Sequence, residues 1–302
     1  MPEETRAVKD LPDPTRLRLL VDVAHHGSIA GAARASGITA SAVSQQLTTL
    51  ERECGVPLLE RLPRGVALTA AGEVLAERGR SLVRLLEAAR GDIDGFDDHL
   101  VGRVRIGTIA SAAQALVLPA LAHLTGEHPG IDATVTVAEP QSSLAALHEG
   151  RIDLALVDVY EHAPMAIPSR VTATTVHREP LVLIGREPFS AGTALADLAD
   201  ERWVMPPAEA ACGQAVRYAC RQAGFEPQVR WETDDLQLLS RAVAAGQGVT
   251  MLPQLAIDVD RPGLHTTVPA GAKLGREIRA VVRSGERDRP LLRAVTAALP
   301  RG

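Results

Sequence analysis

Apolar residues in the first hundred positions recur at the spacing of α-helices. They predict three short helices, bounded by N-capping residues and by glycines: Asp13 to Gly27, Ser28 to Gly37, and Thr39 or Ser41 to Gly55. The turn Ser36-Gly37-Ile38 separates the second helix from the third. Short helices joined by tight turns of this kind are typical of a helix-turn-helix.

The pattern after Leu58 predicts a β-hairpin and then one long helix. Two short apolar runs between Leu58 and Thr69 flank the turn Pro63-Arg64-Gly65, which indicates a small β-wing. From Ala70 to about His99 no proline interrupts the helical repeat, so we predict a helix about 45 Å long. Its apolar seam lacks an obvious partner in so short a unit, which favours pairing with a second copy of the chain.

From Gly102 onward short apolar strands alternate with helices. The first three predicted strands are Val104–Gly107, Ala133–Ala138 and Ile152–Val157. Four more follow: Leu181–Ile184, Arg202–Met205, Val229–Glu232 and Val249–Leu252. This alternation predicts an α/β fold with a mostly parallel sheet, in two lobes that leave a cleft at the carboxyl ends of the strands.

Composition and charge narrow the class of protein. Among 302 residues, 46% are hydrophobic and 23% charged, as in ordinary globular proteins. No apolar run could span a bilayer and the first dozen residues do not form a signal peptide, so we expect a cytoplasmic protein without a membrane partner. The net charge is −5, yet residues 14–72 hold six arginines against four acidic residues, a weak local basic bias. The three cysteines form no CxxC motif, and we expect neither a structural zinc nor a cofactor.

Two ordered sets of motifs resemble the LysR-type transcriptional regulators. The N-terminal set includes Ser28-Ile-Ala-Gly-Ala-Ala33, Ser41-Ala-Val-Ser44-Gln-Gln-Leu47 and Leu68-Thr69-Ala-Ala-Gly72. The C-terminal set includes Arg105-Ile-Gly107, Gly150-Arg-Ile-Asp153 and Ala244-Ala-Gly246-Gln-Gly248. Together they extend over nearly the whole chain.

The resemblance implies a domain order and a role. It implies a winged helix-turn-helix over residues 14–69, a linker and dimerisation helix over 70–99, and an effector-binding domain over 103–302, similar to periplasmic binding proteins. Lobe I of that domain is expected at about 103–162 and 268–302, and lobe II at about 163–267. The implied role is sequence-specific regulation of transcription, controlled by a small molecule in the cleft. The implied partners are double-stranded promoter DNA, an unidentified small-molecule effector and further copies in a homodimer or homotetramer, with RNA polymerase as a candidate.

The candidate DNA contacts are polar residues near the start of the recognition helix or on the wing: Ser28, Thr39, Ser41, Ser44, Gln45, Arg61 and Arg64. Short polar side chains at the N-terminus of a recognition helix reach base edges in the major groove. Glutamine pairs with adenine, whereas the family often has arginine at the position of Gln45, so a guanine contact is not expected there. The two arginines would contact the DNA backbone or the minor groove. The alternative for the serines and Gln45 is a solvated helix face.

The candidate effector residues are polar side chains that follow predicted strands: Ser111, Gln141, Ser142, Asp158, Tyr160, Glu209 and Thr233. Helix capping is the alternative for Ser111 and Ser142. The carboxylates of Asp158 and Glu209 argue against a pocket built only for carboxylates, so an amine, an amino acid or a polar neutral ligand fits this set.

Two other functions compete with this interpretation. Cys212 and Cys220 are placed roughly like the reactive pair of the peroxide-sensing branch of the family, with a spacing one residue shorter. Eight helical residues separate them by about 12 Å, so a disulfide would need the helix to unwind, and two core-lining cysteines are the alternative. An enzyme or a solute-binding protein could also use a two-lobed domain. We expect no catalysis, because GxSxG, HExxH and Walker A motifs are absent from the sequence.

Overall fold

The computed structural model describes residues 12–62, 65–94, 100–257, 262–271 and 274–300. The chain divides into two compact units, Met1–Phe96 and Asp97–Gly302. None of the helices in these ranges is long and apolar enough to span a membrane.

The first unit consists of helices and one hairpin. In chain order they are α1 (Pro14–His26), α2 (Ile29–Ser36), α3 (Ala40–Cys54), β1 (Leu59–Leu62), β2 (Gly65–Leu68) and α4 (Ala70–Asp94). The side chains of Asp13, Ser28 and Thr39 accept hydrogen bonds from the first turns of α1, α2 and α3. Each of these helices ends at a glycine with a left-handed backbone, as at Gly37 (φ 68°). The three predicted helices and the wing are therefore confirmed.

The core of this unit comes from one face of each of the first three helices, from the residue before β1 and from α4: Leu20, Val23, Ala32, Val43, Leu47, Leu50, Leu58 and Ala76. Further along α4 the apolar residues Leu85, Leu86 and Ile93 are exposed. The predicted end of this helix near His99 lies outside the described residues.

Lobe I of the second unit begins with parallel strands. Its elements in order are β3 (Gly102–Thr108), α5 (Ala110–Ala112), a π-helical turn (Ala113–Val117), α6 (Leu118–Glu127), β4 (Ile131–Val137), α7 (Pro140–His148) and β5 (Leu154–Tyr160). Strand β3 lies between β4 and β5 and is parallel to both. This arrangement directs the loops after the three strands to one edge of the sheet, as the sequence pattern predicts.

The remaining elements build lobe II and return the chain to lobe I. They are β6 (Val171–Gly185), β7 (Arg202–Met205), α8 (Ala211–Gln222), β8 (Gln228–Glu232), α9 (Leu236–Ala244), β9 (Thr250–Pro253), β10 (His265–Thr267), β11 (Gly275–Arg283) and α10 (Pro290–Ala298). The core of lobe II contains Leu183, Trp203, Met205, Val216, Leu239 and Met251, and that of lobe I contains Val104, Ile106, Leu154, Ile278 and Leu292.

Strand β6 belongs to two sheets. Residues up to Pro180 pair with β11, whereas Leu181–Ile184 pair with β9, and the end of the strand pairs with β10. The chain thus changes from one sheet to the other near Pro180. The limits expected for the two lobes stay a prediction.

The expectation of a mostly parallel sheet is wrong. Strand β11, which the sequence pattern did not predict, lies between β5 and β6 and is antiparallel to both. Strands β9 and β10 are antiparallel to β6 as well. The physical reason is the path of the chain: β6 leaves lobe I and β11 returns to it, so the two crossing strands run in opposite directions.

Candidate DNA-binding surface and effector site

The polar residues at the start of α3 form an outward face. The hydroxyl of Thr39 accepts from the amide of Ala42 at 3.2 Å and lies 3.0 Å from the Ser41 hydroxyl. Ser41 and Gln45 are exposed and Ser44 is half-buried, while the apolar residues of α3 face the core. This end of the helix therefore presents hydrogen-bonding groups to the surface.

Three other candidate DNA contacts, Ser28, Arg61 and Arg64, are not part of this face of α3. The hydroxyl of Ser28 caps α2, accepting from the amide of Gly31 at 3.1 Å, so its role in the fold is local. Arg64 and the side chain of Arg61 lie outside the part of the chain that the structure describes.

Glu51 holds the base of the wing, a role that the sequence analysis did not predict. Its Oε1 accepts from the backbone amides of Leu58 and Leu59 at 2.8 and 3.1 Å. On the other side, a Cβ at Gly72 would lie 2.1 Å from the carbonyl oxygen of Leu58. The wing is thus tied to α3 through a carboxylate and to α4 through a close backbone approach that only glycine allows.

Three of the four acidic residues in 14–72 are engaged within this unit, whereas the fourth, Glu60, is exposed. Besides Glu51, Asp22 accepts from the Ser36 hydroxyl at 2.9 Å, and Glu53 pairs with Arg16. The arginines at positions 18, 34 and 52 are exposed. The weak basic bias of the sequence is therefore concentrated at the surface, where it can attract DNA phosphates.

A buried arginine on β11 connects three of the predicted effector residues. Arg276 Nη1 lies 3.2 Å from Asp158 Oδ2 and 3.4 Å from the Tyr160 hydroxyl, and Nη2 lies 3.0 Å from Ser111 Oγ. Its Nε and Nη2 lie 2.7 and 2.6 Å from Glu179 Oε1. We call these five residues the Arg276 network. They bring α5, β5, β6 and β11 together at one place.

Sequence reasoning missed Arg276 and Glu179. A signal for the arginine was present: Arg276, Ile278 and Ala280 alternate along the strand and are all buried. An arginine on the apolar face of a strand indicates a buried polar partner. The signal was not usable because β11 itself was not predicted.

The pKa values of Tyr160 and Arg276 are both raised in the network, which fixes the charge of each side chain. Burial raises the pKa of the Tyr160 phenol well above its usual range, so it stays neutral. Burial opposes the charge on Arg276, but Tyr160, Glu179 and Asp158 outweigh that effect and raise the pKa of Arg276. The guanidinium therefore stays charged.

A further carboxylate, that of Glu139, lies in the loop between β4 and α7. Partial burial first, and then the charges of Asp158 and Asp234, raise the pKa of Glu139, which stays in part exposed. Asp234 follows β8 in lobe II, whereas Glu139 and Asp158 belong to lobe I. Carboxylates from both lobes thus share one region.

The other predicted effector residues lie outside the Arg276 network. Gln141 and Ser142 are exposed on the first turn of α7, and Glu209 is exposed before α8. The hydroxyl of Thr233 accepts from the amide of Asp235 at 3.2 Å. Helix capping, the alternative for the two serines, is wrong: Ser142 lies inside α7, and the hydroxyl of Ser111 accepts from the arginine.

The two lobes also meet through a pair of amides. Gln237 Nε2 on α9 donates to Gln114 Oε1 at 2.9 Å. Gln114 belongs to the π-helical turn of lobe I, and such turns often lie at functional sites.

The two cysteines of α8 are buried free thiols. Burial raises the pKa of Cys212 and that of Cys220 to about 12 in each case. Within the described ranges, no group of three or more His, Cys, Asp or Glu side chains could hold a metal ion.

Comparisons with known proteins place the chain in a family. The model described as "Bacterial regulatory helix-turn-helix protein, lysR family" matches residues 14–73, and "LysR substrate binding domain" matches residues 97–301. The chain is 31% identical over 295 residues to a "Probable hydrogen peroxide-inducible genes activator" of Mycobacterium avium, covering 94% of this chain and 91% of the relative. It is 31% identical over 298 residues to the HTH-type transcriptional regulator TfdS of Cupriavidus pinatubonensis, covering 95% and 97%.

Solved structures share the fold. A full-length OxyR variant from Pseudomonas aeruginosa has a TM-score of 0.75 at 20% identity, covering 95% of this chain and 94% of the other. Full-length CbnR in complex with its target DNA has a TM-score of 0.61 at 20% identity, covering 95% and 98%.

The two domains, in this order, define a DNA-binding regulator with a ligand-binding module. The chain belongs to the LysR-type transcriptional regulator family. It regulates transcription through promoter DNA and has a small-molecule effector as a second partner. The α/β class expected from the sequence, with its winged helix-turn-helix and two-lobed domain, is confirmed.

Proposed function

We propose that α3 reads the promoter and that a small molecule bound beside the Arg276 network controls this binding. The observation that carries the proposal is the network itself, a buried polar cluster at the junction of the strands that join the two lobes. In α/β sheets, ligands bind beyond the carboxyl ends of the strands, which is where Ser111 and Glu139 follow β3 and β4.

For DNA, the proposed base contacts are Thr39, Ser41, Ser44 and Gln45. Their exposed or half-buried positions on the first turns of α3 support this assignment. Glu51 would keep the wing in position. The proposed contacts of the wing to the phosphates or the minor groove, and those near the start of α2, are made by Arg61, Arg64 and Ser28.

For the effector, Ser111, Asp158 and Tyr160 would form the inner wall of the site. Gln141, Ser142, Glu209 and Thr233 would form its outer part, since each follows a strand or begins the helix after it. A ligand that contacts both lobes would change their separation and thereby the arrangement of the paired DNA-binding units.

The long helix α4 is the proposed dimer contact. Leu85, Leu86 and Ile93 are exposed along it, and a second copy of the same helix would cover them. A paired binding unit also suits a surface whose basic bias is weak, because two units double the number of phosphate contacts.

Three narrower assignments complete the proposal. The protein has no catalytic role, in keeping with a family of regulators. It works in the cytoplasm, because its partner is chromosomal DNA. The thiol-sensor function suggested by the names of some relatives is disfavoured, because burial raises the pKa of both α8 thiols to about 12, whereas the reactive form is the thiolate.

The test of base readout is a binding assay with the DNA upstream of the protein's own gene. Gln45→Ala should weaken specific binding roughly 5- to 150-fold, since a bidentate base contact contributes about 1–3 kcal/mol. Binding to unrelated DNA should change little, because phosphate contacts dominate it. Gln222→Ala, at an exposed glutamine of α8, is the matched control. Equal binding of promoter by both variants would refute the assignment of Gln45.

A further inference from the structure

We propose that the effector is a small organic cation, such as a primary amine or a guanidine, and not a carboxylate. This inference rests on the proposed function, which puts the effector site beside the Arg276 network. It follows from three features of that site: an arginine already satisfied by the protein, an unbalanced buried charge, and carboxylates that approach from both lobes.

Arg276, the only buried arginine in the part of the chain that the structure describes, has no free N–H donor for a ligand. A guanidinium carries one hydrogen on Nε and two on each terminal nitrogen. In the network, Nε faces Glu179, Nη1 faces Asp158 and Tyr160, and Nη2 faces Ser111 and Glu179. An effector carboxylate, whose usual anchor is a bidentate arginine, would have to displace one of these partners.

The charges of the network do not cancel. The side chains of Asp158 and Glu179 are only 10% and 3% exposed, and the single guanidinium between them is 1% exposed. Tyr160 adds no charge of either sign, because its phenol is neutral. Two carboxylates against one cation leave one negative charge, which a low-dielectric site tolerates poorly without a further partner.

Asp158 is the acidic group with capacity left for a ligand. Both oxygens of Glu179 are occupied, because Oε2 accepts from the amide of Leu255 at 2.6 Å. For Asp158, the hydrogen bonds recorded in the described part of the chain involve Oδ2 alone. Its Oδ1 can therefore accept a hydrogen bond from an ammonium or guanidinium group.

Two more carboxylates approach the same place from opposite lobes. Glu139 ends the loop after β4 and Asp234 follows β8, and both are exposed. Asp158 and Asp234 lie near enough to act on the charge of Glu139. A cation between these groups would reduce their mutual repulsion, and it would favour closure because Asp234 belongs to the other lobe.

An arginine at the end of lobe II where Glu232 and Asp234 lie does not offset this negative charge. Arg217 of α8 donates to the carbonyl oxygen of Pro206 at 2.8 Å and pairs with Glu232. Its charge is therefore matched within lobe II.

The experiment is a thermal-shift screen on the full-length protein at constant ionic strength. The panel contains equal numbers of small amines, carboxylates and uncharged polyols, with matched triplets such as putrescine, succinate and butane-1,4-diol. At about 100 times its dissociation constant, a binding amine should raise Tm by roughly 5 °C or more. Stabilisation by carboxylates or polyols alone, or by no amine of the panel, would overturn the proposal.

Variants then assign the binding to this site. Glu139→Gln should weaken the binding of a stabilising amine about 5- to 20-fold, because it removes one exposed carboxylate without touching the buried network. Glu201→Gln is the control: it is an exposed glutamate directly before β7, at the opposite end of that strand from the cleft. Equal effects of the two variants would contradict the proposed site.

A promoter-binding assay on the same preparation separates the two levels of the proposal. A protein that ignores its promoter under all conditions would refute the proposed function. A protein that binds its promoter and is stabilised only by carboxylates would refute the cationic effector and leave the proposed function standing.

Discussion

Replacing Arg276 with methionine should destabilise the protein by about 3–5 kcal/mol, the cost of removing one partner from a buried ion pair. Methionine keeps much of the volume and removes the charge together with all the donors. Two carboxylates, Asp158 and Glu179, would then stay buried without their cation, and Ser111 and Tyr160 would each lose a charged donor at 3.0 and 3.4 Å. The hydrogen bonds alone could supply a loss of this size, at about 1.5–3 kcal/mol for each bond to a charged group.

The contribution of the Arg276 network to the free energy of unfolding can be measured by comparison with an exposed ion pair. Arg178 is the neighbour of Glu179 in sequence; its side chain is 70% exposed and pairs with Glu277. Arg178→Met should cost less than about 1 kcal/mol, because solvent screens such pairs. Urea unfolding followed by tryptophan fluorescence, to which the buried Trp203 contributes, measures both variants.

A double variant identifies the cause of the loss. Adding Glu179→Gln to the Arg276→Met variant should recover part of the stability, since one buried charge is removed. If Arg276→Met and Arg178→Met lose the same stability within about 1 kcal/mol, the buried network does not stabilise the fold as we argue.

Three other predictions concern separate parts of the molecule. Gly72→Ala should lower stability by about 1–3 kcal/mol and weaken promoter binding, because its Cβ would lie 2.1 Å from the Leu58 carbonyl oxygen; a parent-like melting curve would contradict this. Gln237→Ala should leave Tm within about 1 °C of the parent value yet speed amide hydrogen exchange in α9 several-fold. The reason is the loss of the 2.9 Å hydrogen bond to Gln114 on the other lobe. Unchanged exchange in α9 would refute the role of that hydrogen bond. Because the pKa of both α8 thiols is raised to about 12, their thiolates form only at strongly alkaline pH. Native protein at pH 8 should therefore react with a disulfide reagent at Cys54 alone. Rapid labelling of a second thiol would be inconsistent with the burial of Cys212 and Cys220.

The first unit was predictable because its signals are local. The cap at Thr39, the glycine ends of the helices and the apolar spacing within α3 each act over a few residues, and the structure follows them. Even so, the sequence pattern did not show how the wing is held, because Glu51 reaches Leu58, seven residues further along the chain, after a change of direction.

The second unit was less predictable because its decisive contacts are distant in sequence. Strand β11 contains four charged residues among nine, and two of them, Arg276 and Glu277, are adjacent; this hid its apolar face and with it the antiparallel centre of the sheet. Arg276 lies 165 residues from Ser111 and 97 from Glu179. No local pattern pairs such residues, although three of the network's five members were expected from their places at or just beyond strand ends.

The position of the network explains how a ligand could act on the whole domain. Arg276 is paired in register with Tyr160 on one side and with Glu179 on the other, and Glu179 directly precedes Pro180, where β6 leaves the sheet of lobe I. A cation bound to Asp158 would therefore act on a network that ends within one residue of the crossing point. Asp158, the proposed ligand-binding residue, contacts Arg276, and Arg276 lies on β11 between β5 and β6. Ligand binding can therefore act directly on the strands that connect the two lobes.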